Sequence, residues 1–190
     1  DVYKRQVCFP STIDELEQAL NEYPDALVLG NGSDVLISSA GVEGAVIITT
    51  EISDYKIDGT KVFATCGVKA PILSRAVAEE GLSGFEFMLG IPGSIGGMVY
   101  MNASAHSQSI ANVFVSCKVY DPATKKVLEL KKDDMEFEYR KTVISKKKYV
   151  VLSAEFELTK ANVEDVKALM QRIIEFRKQK QPSLALPNAC

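Results

Sequence analysis

Apolar residues at Ile13, Leu16, Ala19 and Leu20 recur at the spacing of one helical face. Ser11 and Thr12 precede Asp14 and Glu15 at capping-box spacing, so a helix is expected to start there and to close before Pro24. The run ALVLG (26–30) reads as a short buried strand, NGSD (31–34) as a turn, and AVIITT (45–50) as a second strand. Residues 55–67 read as a hairpin, because Asp58–Gly59 is a strong turn signal between two strand-like runs. Pro71 suits a helix start, and Ile72, Leu73, Ala76 and Val77 carry that helix to Gly81.

The second half continues in the same manner. VFVSCKVYD (113–121) alternates apolar and polar residues, and PATKK turns it toward VLEL (127–130). YVVLSAEFEL (149–158) is a long strand. Asn162 and Asp165 cap a last helix with apolar positions Val163, Val166, Leu169, Met170, Ile173 and Ile174, running to about Lys180 before Pro182. Helices mixed with hairpin-paired strands predict an α+β fold rather than a doubly wound parallel sheet. A boundary near residue 60 divides a small β-α-β lobe (1–60) from a larger, antiparallel lobe (61–190).

Composition narrows the function classes. Of 190 residues, 46% are hydrophobic and 25% charged, which fits a globular chain. A net charge of −3 argues against a general nucleic-acid binder, and Lys131–Lys132 and Lys146–Lys148 read as solvated turns. No apolar run has the length of a membrane span and no signal-peptide pattern opens the chain, so a cytoplasmic location is expected. Cys8, Cys66, Cys117 and Cys190 are too widely spaced for a C-x-x-C pair, so free thiols are expected. The single histidine, His106, argues against a His-rich metal centre, and no metal site is expected. His106 reads as an exposed loop residue.

Two glycine-rich stretches carry the candidate chemistry. In LGNGSDVL (29–36), Gly30 and Gly32 allow a sharp turn. Amides of Gly30, Asn31, Gly32, Ser33 and Asp34 could form an anion-holding nest, or the stretch could be an ordinary tight turn. The three-glycine dinucleotide fingerprint fails, because Val35 occupies the third glycine position and no good helix follows. In GIPGSIGGMVYMNA (90–103), Gly90, Gly93, Gly96 and Gly97 remove four side chains. Either two backbone segments cross there, or a flat or phosphorylated ligand lies on the main chain. Pro92 would stiffen the entry, and Ser94 could donate a hydrogen bond.

GNGSDVL…GVEGAVI, then GLSGFEFMLGIPGSIGGMVYMNA, FEYRKT and FRKQKQP occur in one order at sensible spacings. Over nearly the whole chain this resembles the UDP-N-acetylenolpyruvoylglucosamine reductase family of bacterial cell-wall precursor synthesis. The resemblance implies a two-lobed FAD-binding fold of the vanillyl-alcohol-oxidase (PCMH) type. It also implies that NADPH serves as reductant and an enolpyruvyl UDP-sugar as the small-molecule substrate. It places Gly30 to Asp34 on the FAD pyrophosphate and Gly90 to Gly97 along the flavin. Tyr139 and Arg140 match the family's Tyr-Arg pair, with Arg140 catalytic, stabilising the enolic intermediate. A planar guanidinium beside a carboxylate that gains charge during hydride addition would lower the barrier. Arg177 would approach a phosphate of cofactor or substrate, or else be a solvated helix-end residue.

The chain departs from that pattern in places. NASAHSQS replaces NAGAYG, Asp34 stands where Asn is usual, and DVYKRQV lacks the usual T-x-x-x-G-G. The family's proton-donating serine and its C-terminal substrate domain would fall beyond Cys190, so the expectation is a flavin-holding part, inactive alone. Another FAD-dependent oxidase or dehydrogenase of this fold and a non-catalytic nucleotide-binding module are the competing readings.

Overall fold

The computed structural model describes residues 6–181. Cys190 and the Pro182 stop signal lie outside them. The first lobe holds β1 (Val7–Cys8), α1 (Ile13–Glu22), β2 (Leu27–Leu29) and β3 (Val46–Ile48). Thr12 caps α1 by accepting from the Glu15 amide at 3.2 Å, while the Glu15 carboxylate reaches back to the Ser11 amide at 2.7 Å. Leu16 and Leu20 on its inner face are buried. The three strands form a parallel sheet in the order β1-β3-β2, with α1 as the crossover between β1 and β2. No helix spans 31–44, the connection from β2 to β3.

The second lobe opens with β4 (Tyr55–Asp58) and β5 (Lys61–Thr65), joined through Gly59 at φ +62°. Next come α2 (Ala70–Glu79), β6 (Leu82–Ser83), a 3-10 turn (Glu86–Gly90) and α3 (Ile95–Tyr100). Then β7 (Ser104–Ala105), β8 (Gln108–Ser109) and α4 (Ile110–Val113) lead into β9 (Phe114–Asp121) and β10 (Lys126–Lys131). The described chain ends with α5 (Val143–Lys147), β11 (Val150–Glu157), β12 (Thr159–Lys160) and α6 (Val163–Lys180). Five strands pair antiparallel in the order β10-β9-β11-β5-β4. We place the limit between the lobes at residues 49–54, ahead of residue 60, because β4 pairs with β5 in the larger sheet.

The core lies between this sheet and α2, α3 and the 3-10 turn. Phe85, Phe114 and Phe156 are buried, with Phe85 and Phe156 edge-on at 5.1 Å. Each such side chain contributes about 1.5–3 kcal/mol on leaving water. Val166, Met170 and Ile173 form the buried stripe of α6, and Asn162 caps it by accepting from the Glu164 amide at 2.9 Å. A small lobe with a parallel sheet and a larger one with an antiparallel sheet, both mixed with helices, agree with the expected α+β class.

Two elements differ from the sequence expectation. Gly96 and Gly97 sit in the helix α3 although glycine disfavours helices, and residues 104–109 form a small hairpin instead of a loop. At its tip His106 and Ser107 both take left-handed backbone (φ +52° and +62°), and the exposed His106 ring packs edge-on to Phe176 at 5.4 Å.

Cys8, Cys66 and Cys117 are free thiols, and among the described residues no cluster of three or more His, Cys, Asp or Glu could hold a metal. No described helix is long and apolar enough to cross a membrane. Burial pushes the Cys66 thiol up to about 11 and that of Cys117 up to about 12. The unfolded thiols ionise near pH 8.5 while the folded ones keep their protons, so stability is full below that pH and falls as pH rises toward 11–12. Urea midpoints are expected to drop between pH 8 and pH 10, with each thiol costing at most about 1.4 kcal/mol per pH unit. Replacing both cysteines by alanine should flatten that alkaline slope.

Candidate functional site

A cleft of about 650 Å³ lies along the seam of the lobes. One wall is β2 with the turn after it (27–35); the floor is α3 and the segment on either side of it; Arg140, Tyr149–Val151, Arg177 and Gln181 complete the rim. Its charged lining residues among those described are Asp34, Arg140 and Arg177, so cations outnumber anions.

The turn and the glycine helix are bound to one another. Asn31 donates from Nδ2 to the Pro92 carbonyl at 2.5 Å. A Cβ on Gly30 would stand 2.1 Å from the Ser94 hydroxyl, so glycine is needed for this approach. Ser94 is buried, and its hydroxyl makes no capping bond to α3. The floor is fixed from beneath: Ile95 donates to Val68 O and Gly96 to Cys66 O, both at 2.8 Å, while Ala70 donates to Gly93 O at 2.9 Å.

The glycines of the stretch divide between an internal crossing and open main chain. Gly96 serves an internal crossing, since a Cβ there would meet Cys66 at 3.0 Å. Gly93 and Gly97 face the cleft, where a Cβ would find no atom nearer than 3.8 Å. A Cβ on Gly32, at φ +67°, would have no non-neighbouring atom within 4 Å. Among the described residues the amides of Gly32, Ser33, Asp34 and Gly97 have no protein acceptor. Unspent main-chain donors, two of them on glycines, suit an anionic or flat ligand.

The structure brings together Gly30 to Asp34, Gly93, Ser94, Gly96, Gly97, Arg140 and Arg177. Gly90, Pro92 and Tyr139 do not line the cleft. Gly90 instead lies under Arg177, whose Cδ is 2.3 Å from where a Cβ would be, so the missing side chain seats the arginine. Pro92 contributes the carbonyl that Asn31 holds. Tyr139 is 84% exposed, with Arg140 Cζ 5.8 Å from its ring centre.

Arg140 lies in a tight turn in which Glu138 and Lys141 exchange backbone bonds of 3.0 and 3.3 Å, and its φ is +56°. Its Nη2 donates to Ser104 O at 3.5 Å. Beside the turn, the Lys146 ammonium is 2.6 Å from Glu136 and 3.3 Å from Glu138. Lys146 and Lys141 together hold the Glu138 carboxyl below the usual carboxylate range. Sequence reasoning did not single out Thr49, Met101, Ser104 and Tyr149, which also line the cleft. Their types are unremarkable, and only the fold brings them there.

Comparison with known proteins places this geometry. The chain is similar to the UDP-N-acetylenolpyruvoylglucosamine reductase of Caldicellulosiruptor bescii, 41% identical over 97% of this chain and 60% of that protein. It is 37% identical to the reductase of the same name from Clostridioides difficile, over 91% of this chain and 58% of that one. The chain thus spans about three fifths of the curated relatives it matches. Among solved structures, UDP-N-acetylenolpyruvylglucosamine reductase (MurB) from Thermus caldophilus superposes with a TM-score of 0.81 at 30% identity, over 93% of this chain and 64% of that one. Alkyldihydroxyacetonephosphate synthase shares the fold, with a TM-score of 0.61 at 16% identity over 81% of this chain and 31% of that one. The sequence pattern of a family described as an FAD binding domain matches residues 5–131, which include the turn after β2 and all of α3. With about two thirds of its length matched in this way, and a cleft walled by that same bare main chain, the chain belongs to the FAD binding domain family.

Proposed function

We propose that this chain is the FAD-holding part of a UDP-N-acetylenolpyruvoylglucosamine reductase, which uses NADPH to reduce the enolpyruvyl group of a UDP-sugar to the muramate form. The observation that carries the reading is that Arg140 shares one cleft with the unspent amides of Gly32, Ser33, Asp34 and Gly97. The residues present fit FAD: the turn after β2 offers donors to a pyrophosphate, and Gly93 and Gly97 leave space where a flat ring can reach the main chain. When bound, the flavin supplies the hydride chemistry.

The rest falls to the chain's own side chains. Arg140 offers its fork to the enolpyruvyl carboxylate and gains interaction energy as negative charge builds there. Tyr139, exposed next to it and outside the cleft lining, would contact the sugar nucleotide where it leaves the rim. Arg177, seated on Gly90, supplies a second cation for a phosphate. A cytoplasmic setting, where nucleotide sugars and NADPH occur together, completes the reading, with a net charge of −3 giving no attraction to nucleic acid.

The purified chain mixed with FAD is expected to acquire the visible absorbance of bound flavin. Gly97→Leu should fold normally, because the added side chain points into open space, yet lose that absorbance. A well-folded chain that never takes up FAD, or a Gly97→Leu protein that takes it up unchanged, would refute the assignment of the cleft. Turnover of the enolpyruvyl UDP-sugar with NADPH, measured on the protein expressed from the whole reading frame, tests the reaction.

A further inference from the structure

Arg140 does little to hold itself in place. Among the described residues its one hydrogen bond is long, 3.5 Å to Ser104 O, and its backbone at φ +56° lies where residues other than glycine are uncommon. Two buried side chains hold the turn instead. Asn102, 8% exposed, donates from Nδ2 to Glu138 O at 2.9 Å, two residues before Arg140. Thr142, fully buried, donates from Oγ1 to Tyr100 O at 2.8 Å, two residues after it. Both bonds run to the segment that leaves the glycine helix α3. Asn102 is itself left-handed at φ +44°, and its Oδ1 accepts from the Ala111 amide at 3.1 Å, which fixes the amide's orientation.

We propose that Asn102 and Thr142 are positioning residues that clamp the two ends of the Arg140 turn to the exit of α3. The clamp sets the guanidinium against the bare main chain of the cleft, across more than thirty residues of sequence. This rests on the reading of Arg140 as the cation beside the reacting carboxylate. A reacting group displaced by about 1 Å can lose about a hundredfold in rate, so loosening the turn should reach the chemistry without removing any group that performs it.

The test uses the protein expressed from the whole reading frame, loaded with FAD. Thr142→Val removes the hydroxyl and keeps the shape; Thr142→Ser keeps the hydroxyl. Asn102→Asp keeps the acceptor for Ala111 and replaces the donor facing Glu138 O. Thr142→Val and Asn102→Asp are expected to lower kcat about tenfold or more, with the bound-flavin spectrum and the KM for NADPH unchanged. Thr142→Ser should stay within about twofold of the parent, and Thr142→Val should cost nothing further in an Arg140→Ala background. Trypsin should cut after Arg140 faster in Thr142→Val and Asn102→Asp than in the parent. Full kcat in both variants would overturn the proposal, as would a Thr142→Val loss undiminished in the Arg140→Ala background. If Arg140→Ala itself leaves kcat intact, the reading of Arg140 fails separately, and the tryptic rates still decide the clamp: unchanged cutting overturns it.

Discussion

Arg140→Ala is expected to lower kcat for the enolpyruvyl UDP-sugar by about 10²–10³-fold while leaving FAD uptake unchanged. The size follows from what removal of one preorganised donor to a developing oxyanion costs elsewhere, about 2.7–4 kcal/mol. FAD uptake should survive because Arg140 stands at the rim, and the donors of the turn after β2 and of α3 remain. Arg140→Lys keeps the charge but loses the fork, so it should recover only part of the rate. Stability should move the other way. Arg140 holds φ +56°, which glycine takes without strain, so Arg140→Gly is expected to be more stable than the parent by up to about 1 kcal/mol. Loss of activity with a gain in melting temperature separates a catalytic arginine from a structural one. An Arg140→Ala enzyme with parental kcat would remove the cation from the mechanism.

The largest stability effect is expected at Gly67, away from the cleft's open glycines. A Cβ there would lie 2.0 Å from Thr49 O and 2.6 Å from Ile52 O. Both are main-chain atoms of the strap between the lobes, and the Gly67 amide already donates to Ile52 O at 3.0 Å. Neither can withdraw without breaking that bond or the one from Thr49 N to Leu29 O at 2.9 Å. Gly67→Ala should therefore cost about 3 kcal/mol, at the upper end of overpacking, and lower the thermal midpoint by roughly 6–12 °C. Gly90→Ala is the control: its clash is with the movable stem of Arg177, so its cost should stay below about 1 kcal/mol. Thermal or urea melts of the two variants check the pair, and equal stability would contradict the packing described.

Local chemistry made much of this fold readable. The Thr12–Glu15 cap, the Asp58–Gly59 turn, and the Asn162 cap of α6 act within a few residues, and all three appear where the sequence puts them. What stayed hidden depends on distant partners. The α3 helix forms through Gly96 and Gly97 because Cys66 and Val68 accept its first amides, a tertiary gain that outweighs poor propensity. The β7–β8 hairpin turns at His106–Ser107, two residues that carry none of the glycine or asparagine signal of such a turn. At the site, the glycine stretch announced bare backbone but not which glycine served what. Gly90 is set apart from its neighbours only by Arg177, from a helix more than eighty residues later, which lies on it.

The order of strands in the larger sheet has a consequence during synthesis. β11 is the middle strand, between β9 and β5, yet it is made long after β5. Until residue 157 emerges from the ribosome, β5 and β9 each present an open edge with unpaired amides and carbonyls. At common translation speeds the edge of β5 waits on the order of ten seconds. A nascent chain stalled in that interval is the species most exposed to aggregation and most in need of a chaperone.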